Sequence, residues 1–163
     1  MKINFKVKTN KQIENAIDNL SDGFVKIGWY EGQKEENGVL VSENAYMQNH
    51  GFYIKHKNGK KTYVPPRPFM QITENVNVSK WQSFWKKEYK AVLENRATLL
   101  MVLNKLGIMV KSDIQDVIIS SNGIRPNRPL TLAIKKSKGH ALIPLIDTRK
   151  MLESINYHSE VKK

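Results

Sequence analysis

The sequence predicts an α+β fold: a small, mostly antiparallel sheet with packed helices, two of them long and consecutive, plus a projecting basic hairpin. Three observations predict it. Apolar residues alternate with polar ones near both chain ends, the period of a half-buried strand. They recur at helical spacing from 79 to 119. An Asn-Gly pair sits at the centre of a lysine-rich stretch, 52–63. Strands and helices mix without regular βαβ spacing, the α+β pattern. The 163 residues suit one domain, 1–163, large enough to bury a core without staples.

The elements follow in order. Ile3, Phe5 and Val7 alternate with lysines and asparagine, a strand over 2–8. Thr9 and Gln12 have capping-box spacing, and Ile13, Ala16, Ile17 and Leu20 form the face of the helix that follows. "SDG" stops it. "FVKIGWYEG" is the next strand, with Val25, Ile27 and Trp29 alternating, and "QKEENG" is a polar loop. Ser42 is placed to cap a short helix over 43–50, closed by Gly51 in the left-handed position after the helix. "YIKHKNGKKTYV" reads as a hairpin with a type I′ turn at Asn58-Gly59. It holds too few core residues to lie inside, so 52–63 is expected to project as an arm. "VPPRPF" is extended, because proline fixes its own φ and lacks a donor.

Ser79, with Gln82 three residues on, opens the longest periodic segment. Trp81, Phe84, Trp85, Tyr89, Val92 and Leu93 share one face, and Leu99, Val102, Leu103, Leu106, Val110, Ile114, Val117 and Ile118 continue it. A single helix of about forty residues would be about 60 Å long, too long for this domain, so a break is expected near "ENRAT". "SSNGIRPNRP" ends the second helix. A short helix and a loop fill 130–143. In "PLIDTRKMLESI" (144–155), Asp147 or Thr148 is placed to cap a helix whose apolar edge is Leu145, Met151, Leu152 and Ile155. Ile155, Tyr157 and Val161 suggest a closing strand.

The composition constrains the chemistry. No cysteine is present, which excludes disulfides and thiolate metal sites. His50, His56, His140 and His158 have no metal-binding spacing. No glycine-rich phosphate loop or GxSxG elbow occurs, and Glu35-Glu36 reads as a solvated pair. The chain reads as a non-enzyme with no cofactor. The N-terminus lacks the apolar stretch of a signal peptide, and no run reaches the length of a membrane span. Twenty-seven cations against 15 anions give +12. That charge suits a polyanion partner or a lysine-rich solvated surface. Lysine predominates, 22 to 5 over arginine, whereas base readout favours arginine forks. Trp81, Phe84 and Trp85 beside Lys80, Lys86 and Lys87 could stack on bases. Their i, i+3, i+4 spacing is that of a buried helix face.

Taken together, "VKIGWYEG" (25–32), "YMQNHG" (46–51), "VPPRPFM" (64–70), the helical 79–119 and "PLIDTRKMLESI" resemble the tail-completion, or neck, proteins of long-tailed bacteriophages, also called virion morphogenesis proteins. That family shows an apolar strand ending in glycine, a helix ending "NEFG", a "PPRPF", a helical region and "PLIDTGxLxxSI", in this order. The resemblance runs from about residue 24 onward. Three features depart from it: Asn49-His50-Gly51 replaces "NEFG", Arg149 stands where the family has glycine, and 52–63 looks inserted.

The resemblance implies a structural protein whose residues are interfaces. It implies a ring, sixfold by analogy, between the head connector and the tail-terminator or tail-tube proteins. Such a protein is made in the bacterial cytoplasm and resides in the virion. The expected partners are further copies of the chain and these neighbours, with packaged DNA crossing the axis and no membrane. The interface candidates are Lys55, His56, Lys57, Asn58, Lys60 and Lys61 on the arm, and Pro65, Pro66, Arg67 and Phe69 after it. From the charge alone, the alternative is a non-specific nucleic-acid-binding protein using the lysine-rich hairpin and Lys80–Lys87.

Overall fold

The computed structural model describes residues 23–162. The strand expected at 2–8 and the helix expected at 13–20 lie outside these residues. The described fold is α+β, with five helices and two separate two-stranded antiparallel sheets.

The first sheet joins distant parts of the sequence. β1 (Gly23–Gly28) pairs with β4 (Asn156–Val161), Gly23 lying opposite Val161 and Gly28 opposite Asn156. One face of this ribbon lies on α3 (Leu99–Ser120), which contacts both strands. α3 is the most apolar helix, and Val102, Leu103, Val110, Ile114, Val117 and Ile118 are buried along it. Gly107 sits mid-helix, where glycine costs about 1 kcal/mol against alanine. The reason is spatial: a Cβ there would overlap the Tyr157 ring of β4.

α2 (Phe69–Leu93) packs against α3 as an antiparallel hairpin. Lys80 pairs with Asp113 at 2.5 Å and Lys105 with Glu88 at 2.8 Å across it. The break falls at the expected place. Asn95 takes φ 55°, and the Thr98 hydroxyl accepts from Met101 N at 3.2 Å to start α3.

The start of α2 differs from expectation by ten residues. Ser79 lies inside the helix, which begins at Phe69 directly after the prolines. β-branched residues in 69–78 obscure a helical face that the buried Phe69 and Thr73 already define. The cap comes from another element: Asn49 Oδ1 accepts from Met70 N at 3.2 Å. Asn49 lies in the last turn of α1 (Val41–His50) and is itself buried. Ser42 is likewise no cap. α1 starts at Val41, two residues before the expected 43, with Val41 N donating to Gln33 O at 2.9 Å.

The main core gathers Val41 and Ala45 of α1, Phe69 of α2, the second half of α3, and Ile124, Ile146, Met151 and Ile155. Trp29 stands edge-on to Phe69, with ring centroids 5.6 Å apart. A smaller cluster under the α2–α3 turn contains Val92, Leu99, Val102 and Leu103, with Phe84 and Trp85 against it. The helical aromatics therefore pack inward. Trp81 donates its indole N–H to Asp113 Oδ2 at 2.7 Å, and its ring packs on the main core.

Candidate interface surface

The second sheet is the arm. β2 (Phe52–Lys55) and β3 (Lys61–Val64) pair with each other, and neither contacts another element extensively. Its base is held tightly. Gly51 has φ 82°, and a Cβ there would come within 2.9 Å of Pro66 N. Arg67 N donates to Gln48 O at 2.8 Å, so the chain leaves the arm beside the point where it entered.

The turn is not the type I′ expected at Asn58-Gly59. Gly59 N donates to His56 O at 3.0 Å and His56 N to Lys60 O at 2.8 Å, and only Gly59 of the pair has positive φ, 79°. This is a three-residue loop with a glycine bulge. Asn58 Oδ1 accepts from Lys60 N at 3.1 Å, and His56 Nε2 shares a hydrogen bond with Thr62 Oγ1 at 2.8 Å. The pleat places Tyr53, Tyr63, Lys55 and Lys61 on one face. The two tyrosine rings lie 4.9 Å apart and both are exposed. Lys55 and Lys61 are directly opposite, a like-charge pair that disfavours the bare sheet.

The residues after the arm turn inward. Pro65 is half-buried and Pro66 exposed. Phe69 is fully buried and leaves the interface candidates, because its ring belongs to the main core. Arg67 is committed within the chain: Nη1 donates to Gln48 Oε1 at 2.9 Å, Nε to Arg125 O at 3.1 Å and Nη2 to Asn127 Oδ1 at 3.3 Å. Burial, and then the Arg125 charge, lowers its pKa from the ordinary arginine value.

The capping roles expected of Asp147 and Thr148 are corrected. α5 (Lys150–Glu153) is a single turn preceded by Arg149 at φ 65°, with no side-chain cap. Asp147 instead pairs with His140 Nδ1 at 2.7 Å. Thr148 donates to Glu35 Oε2 at 3.0 Å, and its hydroxyl lies a long 3.5 Å from Lys150 N. The buried edge of the segment is Ile146, Met151 and Ile155, while Leu145 and Leu152 are half-buried. Trp29 Nε1 donates to Met151 O at 2.7 Å and holds α5 in place.

Lys135, which sequence reasoning passed over, is a buried cation in the last turn of α4 (Pro129–Ser137). Its Nζ donates to Ala141 O at 3.2 Å, Ile143 O at 3.0 Å and Ile146 O. It thereby ties the irregular 141–146 segment to α4. Burial lowers its pKa, and Asp147 partly opposes this. Nothing in the lysine-rich sequence around it distinguishes this lysine from its solvated neighbours.

Among the described residues no group of histidines and carboxylates could hold a metal ion, and no helix is long and apolar enough to cross a membrane. A crevice between β1, α2 and α3 is lined by Ile27, Met70, Thr73, Trp81, Val110 and Ile114. Glu74 lines it too, and the Thr73 hydroxyl there donates to Phe69 O at 2.7 Å. The basic arm presents four exposed lysines, Lys55, Lys57, Lys60 and Lys61. Comparison with known protein families, with curated proteins and with solved structures finds no match to this chain.

Proposed function

We propose that the chain is a structural virion protein of the head–tail junction, a neck or tail-completion protein whose ring joins the head connector to the tail. The observation that carries this reading is the ordered motif set, together with the backbone job each motif does here. Arg149 adopts a left-handed conformation. Glycine adopts that conformation at least cost, and glycine is the family's residue at this place. Asn49 of "YMQNHG" caps α2, and Arg67 of "VPPRPF" clamps three segments. Exposed apolar residues such as Leu130, Ile134 and Leu142 add surface suited to protein contacts. Deleting the coding sequence from a phage that carries it and imaging the particles tests the reading. Filled heads and separate tails are expected; tailed, infectious particles would overturn it.

A second reading, non-specific nucleic-acid binding, is favoured by the arm face on which two exposed tyrosines stand beside Lys55 and Lys61. Aromatic faces beside cations bind single strands. Fluorescence anisotropy with a mixed-sequence oligonucleotide would then show affinity falling by orders of magnitude between about 50 and 200 mM salt. No binding at low salt removes this reading.

A further inference from the structure

The arm has a counterpart of opposite charge. In "EENGV", Glu35 N donates to Val39 O at 2.8 Å and Gly38 N to Glu35 O at 3.0 Å, with Gly38 at φ 83°. In "HKNGK", the His56–Lys60, Gly59–His56 and Gly59 geometry repeats this pattern. Asn37 Oδ1 accepts from Val39 N at 3.1 Å, as Asn58 Oδ1 does from Lys60 N. The first position of each turn is tied down, Glu35 to Asn44 and Thr148, His56 to Thr62. The second positions, Glu36 and Lys57, are exposed tips.

These two turns flank α1. Glu31, Glu36 and Glu43 are exposed at its N-terminal end, and Lys55, Lys57, Lys60 and Lys61 at its C-terminal end. The ten-residue helix between them is about 15 Å long. The helix dipole accounts for Glu43 in the first turn and His50 in the last. It does not reach the tips of either turn. Among the described residues, none of these seven charges forms an ion pair within the chain. Segment 31–43 has four glutamates and one lysine, whereas 52–64 has four lysines and no acid. In a chain of net charge +12, that segregation is a complementary pair with its halves at opposite ends of one helix.

We infer that the basic arm of one copy docks on the acidic 31–43 turn of a second copy, a head-to-tail contact that repeats from copy to copy. Such a contact uses two different patches, so it generates rings when the rotation closes. The inference rests on the proposed ring. The occupant of the arm face is a second copy, because the chain itself carries the matching acidic turn on the same hydrogen-bonded scaffold.

Two charge-reversed variants test it: Lys55→Glu, Lys57→Glu, Lys60→Glu and Lys61→Glu together on the arm, and Glu31→Lys, Glu36→Lys and Glu43→Lys together on the turn. The native chain should associate at low salt by sedimentation and native mass. Its apparent affinity should weaken at least about tenfold towards 1 M salt, where screening acts within about 3 Å. Each variant alone should be a monomer with unchanged circular dichroism. Mixed one to one, they should associate again, since every arm then meets a turn of opposite charge. If reversal disturbs folding, the glutamine variants at the same positions should be folded monomers. A monomeric native chain at low salt, association that survives reversal, or a mixture that stays monomeric would each overturn the contact. If only the arm variant changes behaviour, and it loses oligonucleotide binding, the arm serves nucleic acid instead. Particle assembly is read separately. A chain that associates as expected yet is dispensable for tailed particles keeps the contact and loses the neck reading. A chain required for particles whose mixture stays monomeric does the reverse.

Discussion

Arg149 and Met151 show how neighbouring residues play different parts. Arg149 sits at φ 65°, where a non-glycine residue is strained by about 1–2 kcal/mol. Glycine relieves that strain but enlarges the freedom of the unfolded chain, so Arg149→Gly should raise stability by up to about 1 kcal/mol. Met151 is buried against the main core, and Met151→Ala should cost about 2–5 kcal/mol. Asp147→Ala should cost less than about 1 kcal/mol, since the Asp147 carboxylate in its pair with His140 is exposed to solvent. Thermal melts of the three variants check this ranking, and Arg149→Gly as the most damaging would overturn the account of the turn. The sequence displays an acid and a threonine ahead of an amphipathic stretch, which is a cap pattern. It does not display that His140 and Glu35 reach those side chains first, because Glu35 lies 113 residues away from Thr148.

At the scale of elements, Gly107 and the arm give the sharpest expectations. Gly107→Ala gains about 1 kcal/mol of helix propensity, but the new methyl overlaps the Tyr157 ring, and overpacking costs about 1–3 kcal/mol. Denaturant titration should show net destabilisation. Adding Tyr157→Leu should recover part of it, so the double variant loses less than the sum of the singles. Equal additivity would mean that the ring is not the obstacle. Deleting 54–62 should change monomer stability by less than about 1 kcal/mol, because the arm packs chiefly on itself and shortening a loop has a small entropic effect. Far-UV circular dichroism and the melting midpoint measure this; an unfolded deletion variant would mean that the arm supports the core. The break between α2 and α3 was legible because a single helix could not fit the domain. The start of α2 was not, since Asn49 supplies its cap from a different helix.

Across the whole molecule, polar clamps join segments that apolar packing leaves loose. The Arg67 fork reaches Gln48, Arg125 and Asn127 at once. Lysine carries the same charge without the planar fork. Arg67→Lys should therefore cost about 1–3 kcal/mol through carbonyl groups left without a donor. Hydrogen exchange should rise together in the 48–51 and 125–127 segments. Exchange confined to one of them would mean that the fork does not couple them.

The sequence by itself determined the fold class, the two long consecutive helices and the break between them, the arm, and that Trp81, Phe84 and Trp85 face inward. Each follows from a local period or from a residue whose backbone is restricted, and such information is carried within a few neighbouring positions. Tertiary structure alone decided that β1 meets β4, that Asn49 caps α2, that Arg67 and Lys135 are clamps, and that Phe69 is core. It also decided that Glu35-Glu36, legible only as a polar pair, opens a turn of the same geometry as the one that His56-Lys57 opens. These depend on partners far apart along the chain. A lysine or an asparagine has the same local signature whether its hydrogen bonds go to water or to a distant carbonyl; only the folded backbone brings one of those acceptors within about 3 Å.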